Sequence, residues 1–250
     1  MFWVLLFYTI IGVLGVSLLH SLKFVKFSIY FANYIINNIV LSVENTKSRN
    51  TYSLIIGPSG SGKTTLFYKV KENKTTKTTT SITPGLTKVN DNRYLVDIPG
   101  NRRVIHDFIL KYLNKSVSII FVIDSNDKSS FKDAAEILFS IIREVKKIKT
   151  YKNDVSETNK QVYKVLILCN KSDLISSRNI SYIKDELERS IRERLFSIQY
   201  YNFDNDLSDL IDHDKPFSFE NLHFINFQFI KLSFKHSYDE FKSKIDLFLQ

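Results

Sequence analysis

Gly57-Pro58-Ser59-Gly60-Ser61-Gly62-Lys63-Thr64 has the spacing Gly, four residues, Gly-Lys-Thr, which suits the binding of a phosphate chain. The glycines let backbone N–H groups turn inward on phosphate oxygens. Lys63 is placed to reach the terminal phosphates and the Thr64 hydroxyl to sit on magnesium, with Thr65 next in line. Asp97-Ile98-Pro99-Gly100 supplies an acid that can hold magnesium through water, and a glycine N–H for a third phosphate. Lys71 to Ser81 is threonine-rich. A hydroxyl there, Thr80 first and Thr83 second, would complete the magnesium shell and sense the third phosphate. Asn170-Lys171-Ser172-Asp173 supplies a carboxylate that can accept two N–H donors. Guanine offers such a pair and adenine does not. Asn170 would tie this loop to the base edge and to the phosphate loop, while the Lys171 stem covers the base face. In Ser233-Phe234-Lys235 a backbone N–H at Ser233 could meet the guanine carbonyl oxygen, a shorter and weaker signal.

Each stretch has a bland counterpart: a glycine turn, a low-complexity loop, a surface turn of Asn, Lys, Ser and Asp. What outweighs these is the elements around them. Thr51 to Ile56 reads as a strand before the phosphate loop, and Thr65 to Val70 as a helix after it, whose positive dipole end faces the phosphates. Leu86–Asn90 and Arg93–Asp97 read as a hairpin turning at Asp91-Asn92, so Asp97 ends a strand. A helix follows, with Val104, Ile105, Phe108, Ile109, Tyr112 and Leu113 at helical spacing. Val117 to Ile123 is a near-continuous apolar strand, as in the middle of a parallel sheet. A helix bearing Phe131, Ala134, Ala135, Leu138, Ile142 and Val145 returns over it, and Thr150 to Lys160 is a polar loop. Val162 to Leu168 is a strand that delivers Asn170. Ser181 to Ile198 is a helix with Ile183, Leu187, Ile191 and Leu195 on one stripe. Tyr200 to Pro216 reads as an acidic inserted loop, Leu222 to Leu232 as the last strand, and the chain closes on a helix bearing Tyr238, Phe241, Ile245 and Phe248. Strands and helices alternating in this way imply an α/β fold: a doubly wound, mostly parallel sheet with its site at the strand ends.

The 250 residues, 44% hydrophobic and 24% charged, are those of a globular protein and exclude a disordered one. The single cysteine, Cys169, excludes an intrachain disulfide and reads as a buried thiol. The five histidines have no metal-ligand spacing, so no metal site of protein ligands is expected. The net charge of +9 fits lysine scattered over a soluble face, with an anionic partner such as phospholipid or RNA as the alternative; no DNA partner is expected. Met1 to Leu19 carries no charged side chain, and a membrane span needs about 20 residues of helix. No basic region precedes this run, which favours a retained anchor over residues 1–22 against a cleaved signal. Lys23 and Lys26 place its far end in the cytosol. Residues 23–50 form a juxtamembrane segment, including a weaker apolar stretch from Phe27 to Val43 broken by Asn33, Asn37 and Asn38. Residues 51–250 form the nucleotide domain.

The anchor, Gly57 to Leu66, Thr80-Ser81-Ile82-Thr83, Asp97 to Gly100, Asp124-Ser125 and Asn170 to Asp173 together resemble the beta-subunit family of the signal recognition particle receptor. The resemblance runs from the anchor to the C-terminus, and the order of anchor then GTPase is its most specific part. It implies a P-loop GTPase preceded by one transmembrane helix, sitting in the endoplasmic reticulum membrane with its domain in the cytosol. It implies binding of GTP and magnesium, and a heterodimer in which the GTP-bound form holds the receptor's alpha subunit so that ribosomes can be docked. Two departures stand out. Most hydrolysing switches place Gln after Asp-x-x-Gly to orient the attacking water; Asn101 is one methylene shorter, a weak candidate for that role, which predicts slow hydrolysis. The stretch Phe27 to Val43 is also longer and more apolar than the family leads one to expect. An Arf-like trafficking GTPase that cycles with an activator is the alternative; an ATP-driven transport or kinase domain conflicts with Asn170 to Asp173.

Overall fold

The computed structural model describes residues 51–72, 81–90, 92–153, 162–200 and 216–234, together with 243, 245 and 248. The expected anchor and juxtamembrane segment, Thr80, the turn residue Asp91 and most of the polar loops lie outside the described residues. Among the described residues no helix is long and apolar enough to cross a membrane.

Six strands form one sheet in the order β2-β3-β1-β4-β5-β6. They are β1 (Thr51–Ile56), β2 (Gly85–Asn90), β3 (Arg93–Asp97), β4 (Ser116–Asp124), β5 (Tyr163–Asn170) and β6 (Ile225–Lys231). Of these pairings only the β2–β3 hairpin is antiparallel; β1 pairs in parallel with both β3 and β4, and β5 with β4 and β6. Four helices are described: α1 (Lys63–Glu72), α2 (Ile105–Leu113), α3 (Ser130–Asn153) and α4 (Ile180–Tyr200). From β1 the chain proceeds to β3 on one side and to β4 on the other. That reversal opens a crevice at the C-terminal ends of the central strands, the place where such sheets bind ligands.

The side-chain alternation of buried strands decides which helices cover which face. Leu54, Ile56, Ile119, Phe121, Ile123, Val165 and Ile167 face one way, into a core closed by α2, α3 and α4. Ile55, Ile120, Val122, Leu166 and Leu168 face the other way, onto Leu66 and Phe67 of α1 and Ile245 near the C-terminus. The apolar stripes read from the sequence lie in these cores: Phe131, Ala134, Leu138, Ile142 and Val145 on α3, and Ile183, Leu187, Ile191 and Leu195 on α4, are all buried. Cys169 is buried too, and desolvation pushes its thiol up to about 12, which keeps it protonated and inert.

Several element ends differ from the sequence reading, among them those of α1, α3 and β6. Helix α1 includes Lys71 and Glu72, so the threonine-rich stretch begins later. Helix α3 continues through Thr150 to Asn153, where a loop was expected. The Thr150 hydroxyl donates to the Lys146 C=O at 3.1 Å, so this polar residue is satisfied inside the helix. The last strand starts at Ile225, not Leu222. A short 3-10 turn, Phe219–Asn221, takes the preceding residues, and Glu188 of α4 accepts from the Phe219 N–H at 2.9 Å and the Ser218 hydroxyl at 3.0 Å. A tertiary carboxylate, absent from any local pattern, sets where the strand can start.

Phe121 lies in the middle of β4 with no exposed surface. Phe121→Ala is expected to cost about 3–5 kcal/mol, because the cavity cannot collapse between two helical layers. Denaturant unfolding of the two proteins should show a lower midpoint with unchanged slope, the shift multiplied by the slope giving that free energy.

Candidate functional site

The phosphate loop leaves β1 and enters α1 as expected, and the backbone takes positive φ at Gly57, Gly60 and Gly62. Gly62, at φ +103°, has a second requirement: a Cβ there would overlap the Asn170 amide nitrogen and lie 3.3 Å from the Phe234 ring. Gly100 is equally crowded, since a Cβ would come within 2.5 Å of Lys63 Nζ and 2.8 Å of the Ser59 nitrogen. At both positions it is the close approach of other segments that demands glycine.

A cavity of about 470 Å³ opens here. Its phosphate end is lined by Ser59, Gly60, Gly62, Lys63, Thr64, Thr65 and Gly100, and its other end by Asn170, Lys171, Asp173 and Ser233. Residues from the ends of β1, β3, β5 and β6 are thus gathered at one place. Ser81, Leu174 and Phe234 also line it. Ser81 and Phe234 lie in stretches that the sequence singled out without giving these two residues a role, and Leu174 follows Asp173 directly. Gly57, Pro58, Ser61 and Asp97 support the cavity without lining it, and Thr80 lies outside the described residues.

Lys63 is 5% exposed, and its ammonium donates to the Pro58 C=O at 2.7 Å. Burial lowers its pKa from 10.5 to about 8, against a smaller opposing pull from the Asp97 carboxylate. Asp97 is 2% exposed; burial raises its pKa, while the Thr64 hydroxyl bond and Lys63 act to lower it. The Thr64 hydroxyl donates to Asp97 Oδ2 at 2.8 Å, and Asp97 Oδ1 is buried without a hydrogen-bond partner. A buried carboxylate oxygen left over beside a hydroxyl is a costly arrangement unless something else is meant to meet it. Two hard oxygen groups, one of them orphaned, fit a magnesium ion that takes its remaining ligands from water and phosphate. Among the described residues no group of three or more His, Cys, Asp or Glu gathers as a metal cage.

At the far end Asn170 is 4% exposed and does two jobs. Its amide nitrogen donates to the Ser61 C=O at 2.8 Å, and its oxygen accepts from the Phe234 N–H at 3.4 Å. The link to the phosphate loop expected from the sequence is therefore present. Lys171 adopts φ +61°, a left-handed conformation uncommon for a residue with a Cβ, and its ammonium pairs with Asp124 Oδ2. Asp173 is solvent-accessible, and its Oδ1 accepts from the Ser233 hydroxyl at 2.7 Å. The sequence reading assigned Ser233 only a backbone contact; the structure adds a side chain that orients the acid. Asn101 behaves differently from the others. Its side-chain oxygen accepts from the Arg103 N–H at 3.0 Å, an exposed turn bond outside the cavity lining.

The chain has clear likenesses among known proteins. A family model described as the signal recognition particle receptor beta subunit matches residues 48–225. The signal recognition particle receptor subunit beta of Rattus norvegicus is 29% identical over 152 residues, 58% of this chain and 52% of that protein. The chain spans about half the length of the curated relatives it matches. Among solved structures, that of the mammalian SRP receptor superposes with a TM-score of 0.62 at 23% identity, over 80% of this chain and 100% of that one. The SRb-GTP/SRX complex from Chaetomium thermophilum superposes with a TM-score of 0.55 at 20% identity, over 73% of this chain and 90% of that one. Both carry the same fold.

Lys63 gives this site a pH signature. Its folded pKa lies below the unfolded value, so the unfolded chain binds more protons between about 8 and 10.5 and stability rises with pH across that window. Below pH 8 the buried ammonium is a standing cost to the folded protein. Lys63→Met should therefore raise nucleotide-free stability by about 2 kcal/mol at pH 7, and the gain should shrink towards pH 10.5. Thermal unfolding of both proteins from pH 7 to 10 checks the sign.

Proposed function

The chain belongs to the signal recognition particle receptor beta subunit family, and on that footing we propose that it is a GTP-binding, membrane-anchored subunit of that receptor. The observation that carries the nucleotide part is a cavity with Lys63 and Thr64 at one end and Asn170 and Asp173 at the other. One end suits phosphates; the other holds the Asp173 carboxylate, a group that can accept from two N–H donors. Gly57 to Thr65 would hold the α- and β-phosphates, Lys63 the terminal ones, and the Gly100 N–H the third. Thr64, Thr80 and, through water, Asp97 would hold magnesium, which neutralises phosphate charge when bound. The orphaned Asp97 oxygen supports that assignment. Asp173, with the Lys171 stem and the Ser233 backbone, would select guanine. The fold-sharing protein from Chaetomium thermophilum is an SRb-GTP complex, which supports the same choice of nucleotide.

The proposed partner is the receptor's alpha subunit, docked on the GTP-loaded form through Thr75 to Thr83 and Gly100 to His106. Ile82, 80% exposed and next to cavity-lining Ser81, and Leu86, 55% exposed on the edge strand β2, offer apolar contact surface. Residues 1–22 are the proposed anchor in the endoplasmic reticulum membrane, 23–50 the juxtamembrane segment and 51–250 the cytosolic GTP-binding domain. The excess of basic residues suits a polyanionic surface nearby, with the ribosome as the proposed one. Intrinsic hydrolysis is proposed to be slow. The Asn101 side chain is short and engaged with Arg103, so little orients an attacking water. An Arf-like cycling enzyme is the weaker reading, because the matching family model is that of the receptor subunit.

Calorimetry on the full chain tests the base: GTP should bind and ATP should not, and equal binding of both would end the guanine assignment. Asp173→Asn should lose guanine affinity by at least about 100-fold and gain affinity for xanthine nucleotides, since an amide presents a donor where the acid accepts. For the partner, a pull-down from solubilised membranes with a non-hydrolysable GTP analogue should recover the alpha subunit, and GDP loading should recover much less.

A further inference from the structure

Behind the base end of the cavity lies a cation that nucleotide binding does not itself require. Lys69 sits on α1, six residues beyond Lys63, and is only 4% exposed. Its helix face packs into the second core beside Leu66, where an aliphatic residue would fill space without loss of hydration. Burial also lowers the Lys69 pKa. Its ammonium donates to the C=O of Phe234. Phe234 is itself buried, and its N–H donates to Asn170. The residue before it, Ser233, donates its hydroxyl to Asp173. The turn at 233–234 is therefore held on both sides: by Asn170 through the Phe234 N–H, and by Lys69 through the Phe234 C=O.

We propose that Lys69 is a positioning residue for base recognition, fixing the Phe234 carbonyl so that the Ser233 hydroxyl aims the Asp173 carboxylate. This rests on the guanine-nucleotide reading of the cavity. The reason a remote cation is useful is geometric. Asp173 is solvent-accessible, and rotation of a carboxylate about its terminal torsion is nearly free. To accept two N–H donors in one plane, that rotation must be limited, and the Ser233 hydroxyl is one group that limits it. A hydroxyl on a loop aims a carboxylate only as well as the loop is fixed. The Phe234 C=O points back toward α1, and a long lysine stem from the buried helix face spans the gap.

The readout is discrimination between GDP and IDP. Hypoxanthine keeps the ring N–H of guanine but lacks the exocyclic amine, so the affinity ratio reports how well Asp173 meets both donors at once. Loosening of the fold in general lowers both affinities together and leaves the ratio alone. Titrations would use the full-length chain in mild detergent, with GDP, IDP and ADP, on wild type, Lys69→Met, Ser233→Ala and the double variant. Lys69→Met should lower the GDP-to-IDP ratio by about tenfold, the value of one hydrogen bond to a charged group. Ser233→Ala should lower it by a similar factor, and the double variant no further, because both act on the same carboxylate. An unchanged ratio in Lys69→Met overturns the proposal, as does an equal loss for GDP and IDP. So does a Lys69→Met chain that fails to fold while Ser233→Ala keeps the wild-type ratio. A wild-type protein that binds ADP as well as GDP would remove the guanine reading and this role with it. A guanine-selective wild type with an unaltered Lys69→Met ratio would remove only the role of Lys69.

Discussion

The side-chain amide of Asn170 is the bond on which the shape of the cavity depends. It reaches the Ser61 C=O of the phosphate loop with its nitrogen and the Phe234 N–H with its oxygen. Two segments far apart in the chain are thereby fixed to one planar group at the end of β5. Both of its partners are backbone, so neither can turn away to another rotamer. The crowding this creates explains why Gly62 has no room for a Cβ. Without such a tie, a phosphate end and a base end carried by separate loops would not keep a constant separation, and ligand length could not be read.

At the phosphate end the protein holds polar groups ready rather than satisfied. Lys63 rests on the Pro58 C=O and Thr64 on Asp97, while one Asp97 oxygen meets nothing. Desolvation displaces both titratable groups from their ordinary pKa values, the lysine downward and the acid upward. A fold selected only for stability would not bury this pair beside an unsatisfied oxygen. An anion and a cation arriving together would return that stored cost, more than either would alone.

The segment after Gly100 is tied down by different means. Asn101 caps its own turn through the Arg103 N–H, and Arg102 makes a two-pronged ion pair with Asp133 at the start of α3. These bonds are exposed, and exposed ion pairs contribute little to stability, so rearranging them costs little. The contrast is with the buried ties of Asn170, Ser233 and Phe234, whose loss would strand polar groups away from water.

Local chemistry along the chain was enough to settle the element types and the identity of most cavity residues. Phosphate-loop geometry, the acid at the end of β3 and the Asn-Lys-Ser-Asp turn are local, and each follows from backbone chemistry within a few residues. A helix stripe of period 3.6 places Leu187 inside, and a near-continuous apolar run marks Phe121 as part of a strand buried on both faces, without knowledge of their neighbours. How Ser233 aims Asp173, why Phe234 lines the cavity, what Lys69 holds and where β6 begins became visible only in three dimensions. These depend on contacts such as Ser233 with Asp173 and Glu188 with Phe219, made between segments whose approach is set by sheet order and leaves no periodic trace in the chain.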